Sequence, residues 1–126
     1  EKSPAHQFCY RHHCYETTRQ VAEYLELKDG TFSSSFQSRL AGQPWLRPYT
    51  DKVVENFAQT GTKNLAIVTP AFVSDCLETL EEIGMEAKDD FIEKGGEKFH
   101  VVPCLNDDKD WVKTLSRWID EWANIK

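Results

Sequence analysis

With 126 residues, 40% hydrophobic and 29% charged, the chain has the composition of an ordinary globular protein and room for one domain with a real core. Its formal charge of −6 argues against a nucleic-acid binder, whose phosphates need Lys and Arg stripes, and favours cations or basic partners. No apolar run approaches the roughly 20 residues of a membrane span, and no signal peptide is visible. The chain opens on Glu1 and its first residues read like mid-protein sequence, so a fragment or a processed chain is expected.

In chain order, the spacing of Val21, Ala22 and Leu25 predicts a helix over 16–27, running toward a stop at Gly30. Residues 31–38, rich in Ser and Phe with some alternation, predict a strand. Thr50 can cap a helix through Val53, Val54 and Phe57 that ends at Gly61. The nearly continuous apolar run over 64–69 predicts a strand covered on both faces. An acidic helix over about 74–94 follows, closed by Gly95 and Gly96, and then a strand over 98–104 with Pro103 near its end. Asp107 can cap a last helix whose Trp111, Leu115, Trp118 and Trp122 form one apolar stripe. Short strands alternating with helices imply parallel pairing, hence an α/β fold built as a three-layer sandwich.

Ligands of such sheets bind beyond the carboxyl ends of the strands. The loop 37–49 carries Arg39, Trp45, Arg47 and Tyr49, a set that suits a flat, anionic, apolar-faced ligand. The loop 69–75 leads into the acidic helix, where eight acidic residues stand against the single Lys88 between Ser74 and Glu93. On an α-helix Glu78, Glu82 and Glu86 form one slowly drifting carboxylate stripe, and a row of hard oxygen donors can hold or pass along a divalent metal. A carboxylate of that row facing a closed pocket is expected to have a raised pKa. An exposed, solvated helix face is the ordinary alternative. The four cysteines do not form a disulfide framework; Cys76 and Cys104 read as small core residues. Cys9 and Cys14, with His12 and His13 between them, are half of a zinc or iron–sulfur site, or else a pair of exposed thiols.

Ser35-Phe-Gln-Ser-Arg-Leu40, Trp45-Leu-Arg-Pro-Tyr-Thr-Asp51 and Pro70-Ala-Phe-Val-Ser-Asp-Cys-Leu-Glu-Thr-Leu-Glu-Glu-Ile83 together resemble the ferrochelatases, which insert ferrous iron into a porphyrin. Gly95-Gly-Glu-Lys-Phe99 and Pro103-Cys-Leu-Asn106 continue the likeness in order. The resemblance runs from about Tyr15 to the C-terminus and is to the C-terminal half of a bacterial-type enzyme. It implies a Rossmann-like chelatase half-domain over 15–126, which meets an N-terminal half around the porphyrin. Glu78 corresponds to the family's catalytic glutamate, which contacts the metal or accepts pyrrole protons. Glu82 and Glu86 correspond to the acidic row behind it, an iron path, and Gln37, Ser38 and Trp45 to positions near the porphyrin. Fe(2+) is then a substrate, protoporphyrin IX or coproporphyrin III the acceptor, and haem synthesis the setting.

The family's histidine motif, Ser-x-His-Gly, is absent, and Ser3-Pro-Ala-His6 is a poor substitute because no strand precedes it. Residues 1–14 resemble the tail of a cysteine-bearing insert or linker, in which Cys9 and Cys14 are two of four ligands to a [2Fe–2S] cluster. The implied setting is cytoplasmic, with peripheral contact to the inner membrane left open. Two alternatives stand beside this reading: a non-catalytic metal- or porphyrin-binding domain of the same fold, and a chelatase for cobalt or nickel. The isolated chain is expected to be inactive.

Overall fold

The computed structural model describes residues 4–39 and 42–124. They divide into two compact units, Glu1–Phe57 and Ala58–Lys126.

In the first unit a 3₁₀ turn, Pro4–Phe8, leads into α1, Tyr10–Tyr24. The helix starts six residues earlier than its apolar spacing predicts, because nothing between Tyr10 and Glu16 breaks it. Glu16 is instead an interior residue, paired with Arg19 at 2.7 Å, and Arg19 also reaches Glu23 at 2.7 Å. The helix stops before the predicted Gly30. Glu26, at φ 53°, takes the left-handed position, and its N–H and that of Leu27 reach back to the carbonyls of Glu23 and Ala22. That is the Schellman arrangement, with glutamate where glycine is usual.

The strand expected over 31–38 is not formed. Phe36 makes an isolated parallel bridge with Tyr49, through Phe36 N–H to Pro48 O at 2.9 Å and Thr50 N–H to Phe36 O at 3.2 Å. The serines satisfy themselves with side chains instead: Ser34 Oγ lies 2.7 Å from Thr18 Oγ1, and the Thr50 hydroxyl donates to Ser35 Oγ. Phe36 is buried with its ring edge-on to Tyr15. Thr50 opens α2, Thr50–Gln59, as its first helical residue.

The second unit holds a parallel pair, β1 (Asn64–Ile67) and β2 (Lys98–Val101), in the register Asn64↔Lys98 to Ile67↔Val101. Both strands alternate between exposed and half-buried residues, so β1 is covered on one face rather than on both. Between them the chain forms a π-helix, Glu78–Ala87, that continues directly into α3, Lys88–Glu93. Buried Thr79, Ile83, Ala87 and Phe91 recur every fourth residue along this segment. In an α-helix that spacing overshoots a turn by about 40° per step; the wider π-helix, with its i→i+5 bonds, keeps the line straight against the core. Gly84 gives the wide turn room, since a Cβ there would meet Thr79 O at 3.3 Å.

The segment ends in a second Schellman arrangement, with Gly95 at φ 106° and the Gly96 N–H on Phe91 O at 2.9 Å. Phe91 has no exposed surface and packs against Phe99 of β2, ring centroids 5.7 Å apart. A Cβ on Gly96 would fall 2.1 Å from that ring. After β2, α4 spans Lys109–Ala123. Its cap is Asp108, one residue beyond the expected Asp107: Asp108 Oδ1 accepts from the N–H groups of Asp110 and Trp111. Trp111 and Trp118 meet edge to face at 5.9 Å, while Trp118, Ile119 and Trp122 remain exposed. Among the described residues no helix is long and apolar enough to cross a membrane.

Candidate functional site

The residues singled out by sequence fall in both units, and each group has its own chemistry. In the first unit the loop after Phe36 gathers Gln37, Ser38 and Trp45. The Trp45 indole N–H donates to Gln37 O at 2.9 Å and leaves the ring 42% exposed. Ser38 holds a left-handed backbone, φ 61°, which a residue with a Cβ adopts at a cost. Its Oγ is buried with no hydrogen-bond partner among the described residues. A strained serine with an unpaired buried hydroxyl beside an exposed indole fits a position that meets a ligand. Tyr49 lies between two cations, the guanidinium carbons of Arg39 and Arg47 each 5.2 Å from its ring. Hydrogen bonding to Arg39, and then to Arg47, lowers the phenol's pKa. These three residues belong to the set that the sequence matches to a flat, anionic, apolar-faced ligand.

In the second unit the carboxylate row lies on the π-helix. Glu78, its first residue, is half-buried, as is Glu82; Glu86 is exposed. The row therefore runs from partial burial at the helix start toward solvent. Because the helix is π rather than α, residues four apart lie closer to one full turn, so the row drifts less than the α-helical expectation. No three His, Cys, Asp or Glu among the described residues are grouped closely enough to hold a metal ion. The row is a sequence of single carboxylates.

The raised pKa expected for a carboxylate in this row is not found at Glu78. Its pKa is lowered, first by a hydrogen bond from the Cys76 thiol and then by its own backbone N–H. Cys76 is half-buried, two residues before the candidate catalytic carboxylate.

Ahead of Glu78, Asp75 bonds to Asn106. The Asp75 N–H donates to Asn106 Oδ1 at 2.8 Å, and Asn106 Nδ2 donates to Asp75 Oδ2 at 2.7 Å. Thr79 Oγ1, 3.0 Å from Asp75 Oδ1, accepts from the Cys76 N–H. The only sequence trace of this pairing is an Asp before the helix and an Asn after the strand.

The cysteines at the front of the chain stand apart from both groups. Cys9 is exposed and precedes α1, whereas Cys14 lies inside it, bonded to the Tyr10 hydroxyl, whose pKa that bond raises. No third donor among the described residues joins the two in a metal-holding group, so this chain alone offers at most half of a cluster's ligands. His6 sits in the 3₁₀ turn with its ring stacked on His12 at 4.3 Å. Of the motif residues quoted from sequence, Ser3 and Leu40 lie outside the described residues.

The profile of the ferrochelatase family matches residues 2–123. The chain belongs to the ferrochelatase family. Among curated ferrochelatases it is 47% identical over 120 residues to that of Opitutus terrae, covering 95% of this chain and 35% of the relative. It is 50% identical over 106 residues to the ferrochelatase of Brucella anthropi, with 84% of this chain and 30% of the relative covered. It is 44% identical over 115 residues to that of Legionella pneumophila, covering 91% and 35% respectively. The chain thus spans about a third of the length of the curated ferrochelatases it matches. It presents the family's mixed α/β pattern, two parallel strands joined through the π-helical segment.

Proposed function

We propose that this chain is the C-terminal part of a ferrochelatase that inserts Fe(2+) into a porphyrin during haem synthesis, with Glu78 as its catalytic carboxylate. Family membership over nearly the whole chain supports the activity. The observation that carries the site is a half-buried carboxylate opening the π-helix at the head of the Glu78, Glu82 and Glu86 row.

Metallating a porphyrin means stripping water from the ion, bending the macrocycle and removing two pyrrole protons. A carboxylate with a lowered pKa is a weak base and a good hard ligand, so Glu78 suits the metal side of this task better than the proton side. Glu82 and Glu86, one helical turn apart and progressively more exposed, suit a path that replaces lost waters one carboxylate at a time. Gln37, Ser38 and Trp45 suit the porphyrin: an indole face for the ring, held by the Gln37 carbonyl, and the Ser38 hydroxyl and Gln37 amide for its polar edge. Cys9 and Cys14 would join a [2Fe–2S] cluster only with ligands from outside this chain. The setting we assign is cytoplasmic, either protoporphyrin IX or coproporphyrin III being the acceptor, and the remaining two-thirds of the enzyme supplies the opposite wall.

The test is anaerobic Fe(2+) insertion, followed by loss of porphyrin fluorescence, in the full-length enzyme and its Glu78→Gln variant. Turnover should fall by about two to four powers of ten in the variant. Near-normal turnover removes Glu78 from the chemistry. Porphyrin binding without turnover in the unmodified enzyme favours the non-catalytic binding domain.

A further inference from the structure

Asp75 stands just ahead of the helical segment, two residues before its cap position Leu77, and its carboxylate is bonded to side chains. The start of the π-helix has no side-chain cap, and the Cys76 N–H is taken by Thr79 Oγ1. A capping aspartate ordinarily accepts from the N–H groups two or three residues on. Here the carboxylate is spent on side chains: Asn106 Nδ2 at 2.7 Å on one oxygen and the Thr79 hydroxyl at 3.0 Å on the other. Both carboxylate oxygens of Asp75 are thus engaged by side chains, three residues before Glu78.

Asn106 completes the arrangement from the other side. It adopts a left-handed backbone, φ 49°, a conformation asparagine tolerates better than most residues. In that pose its N–H donates to Val73 O at 2.9 Å while its side-chain amide gives and receives one hydrogen bond with Asp75. Three bonds therefore join the loop after β1 to the loop after β2, at the carboxyl ends of both strands. The chain between the first of these loops and Glu78 is two residues long.

We propose that Asp75 and Asn106 are positioning residues: their reciprocal carboxylate–amide pair fixes the first turn of the π-helix to the end of β2 and thereby sets where the Glu78 carboxylate stands. This rests on the role given to Glu78. A helix start tied only by its own backbone can rotate or fray, and misplacement of a reacting group by about 1 Å costs on the order of 100-fold in rate. The pair acts on the orientation of Glu78 and touches no substrate, so loosening it lowers kcat and leaves KM for the porphyrin near its starting value.

The experiment uses the full-length enzyme, with kcat and KM for anaerobic Fe(2+) insertion measured on four variants. Asn106→Ala should lower kcat by about 10- to 100-fold with little change in KM. Asp75→Asn alone should behave alike, because two amides cannot reproduce the charge-assisted bonds. The exchanged pair, Asp75→Asn with Asn106→Asp, restores a carboxylate facing an amide and should recover most of the lost kcat. Glu78→Gln is measured beside them. An Asn106→Ala enzyme with unchanged kcat, or an exchanged pair that folds with the original melting temperature yet stays as slow as the single variants, overturns the proposal while leaving Glu78 in place. A Glu78→Gln enzyme that still turns over removes the role of Glu78 and the positioning role with it. If Asn106→Ala does not fold, the exchanged pair decides alone.

Discussion

Two helical segments of nearly equal length in the second unit are built on opposite principles. The segment Glu78–Glu93 starts without a side-chain cap and abandons α geometry for its first ten residues, yet it carries the two most buried large side chains, Ile83 and Phe91. Helix α4 starts on a doubly accepting Asp108 and is regular throughout, yet Trp122 at its far end is 75% exposed. Core packing and the Asp75–Asn106 pair hold the first; capping and propensity hold the second. Local rules decide whether a helix forms, and tertiary contacts decide whether it can depart from the standard spiral.

That contrast can be broken from either side. Phe91→Ala should destabilise the protein by about 3–5 kcal/mol in chemical denaturation, since a ring with no exposed surface leaves a cavity behind. A loss below about 1 kcal/mol would mean that packing does not hold the π-helical segment. Asp108→Ala should cost about 1 kcal/mol, the value of a single cap, and should reduce helical circular dichroism without touching metallation.

The smallest effect is a pH dependence. Hydrogen bonds, the one from Asn106 foremost, hold the Asp75 carboxyl below its ordinary pKa. A carboxylate whose folded pKa lies below its unfolded one binds its proton more readily when unfolded. Its stabilisation is therefore complete above the ordinary carboxylate range and is lost as pH falls through the folded pKa. Replacing Asn106 with Ala should flatten the fall in melting temperature below about pH 4. An equally steep fall would show that Asp75 keeps its low pKa without Asn106.

The sequence was informative where one residue type does one job. The Gly95–Gly96 stop and the two strands of the second unit were legible. The strand over 31–38 was misread because serine–phenylalanine alternation satisfies the strand pattern, whereas Ser34 and Ser35 bond to Thr18 and Thr50. The π-helix was hidden because capping and periodicity rules assume 3.6 residues per turn. Its trace was present in the strict fourfold recurrence from Thr79 to Phe91, together with Gly84 in the middle. The lowered pKa of Glu78 was not legible because Cys76, the first cause of the shift, reads from sequence as a small hydrophobe. The tie between Asp75 and Asn106 could not be read at all, since it joins residues thirty-one positions apart that share no pattern.

Gly95 and Gly96 are neighbours that the fold needs for unrelated reasons. At 95 the demand is angular: the backbone is left-handed and the nearest atom a Cβ would meet is 4.0 Å away, so asparagine is an acceptable tenant. At 96 the demand is volumetric: the backbone is unexceptional, but the space one carbon atom would need is already filled by the Phe91 ring. A mutational scan that treats the pair as one glycine-rich turn would average a position of restricted shape with one of no room. Substitution there reads out two different currencies, torsion at the first and volume at the second.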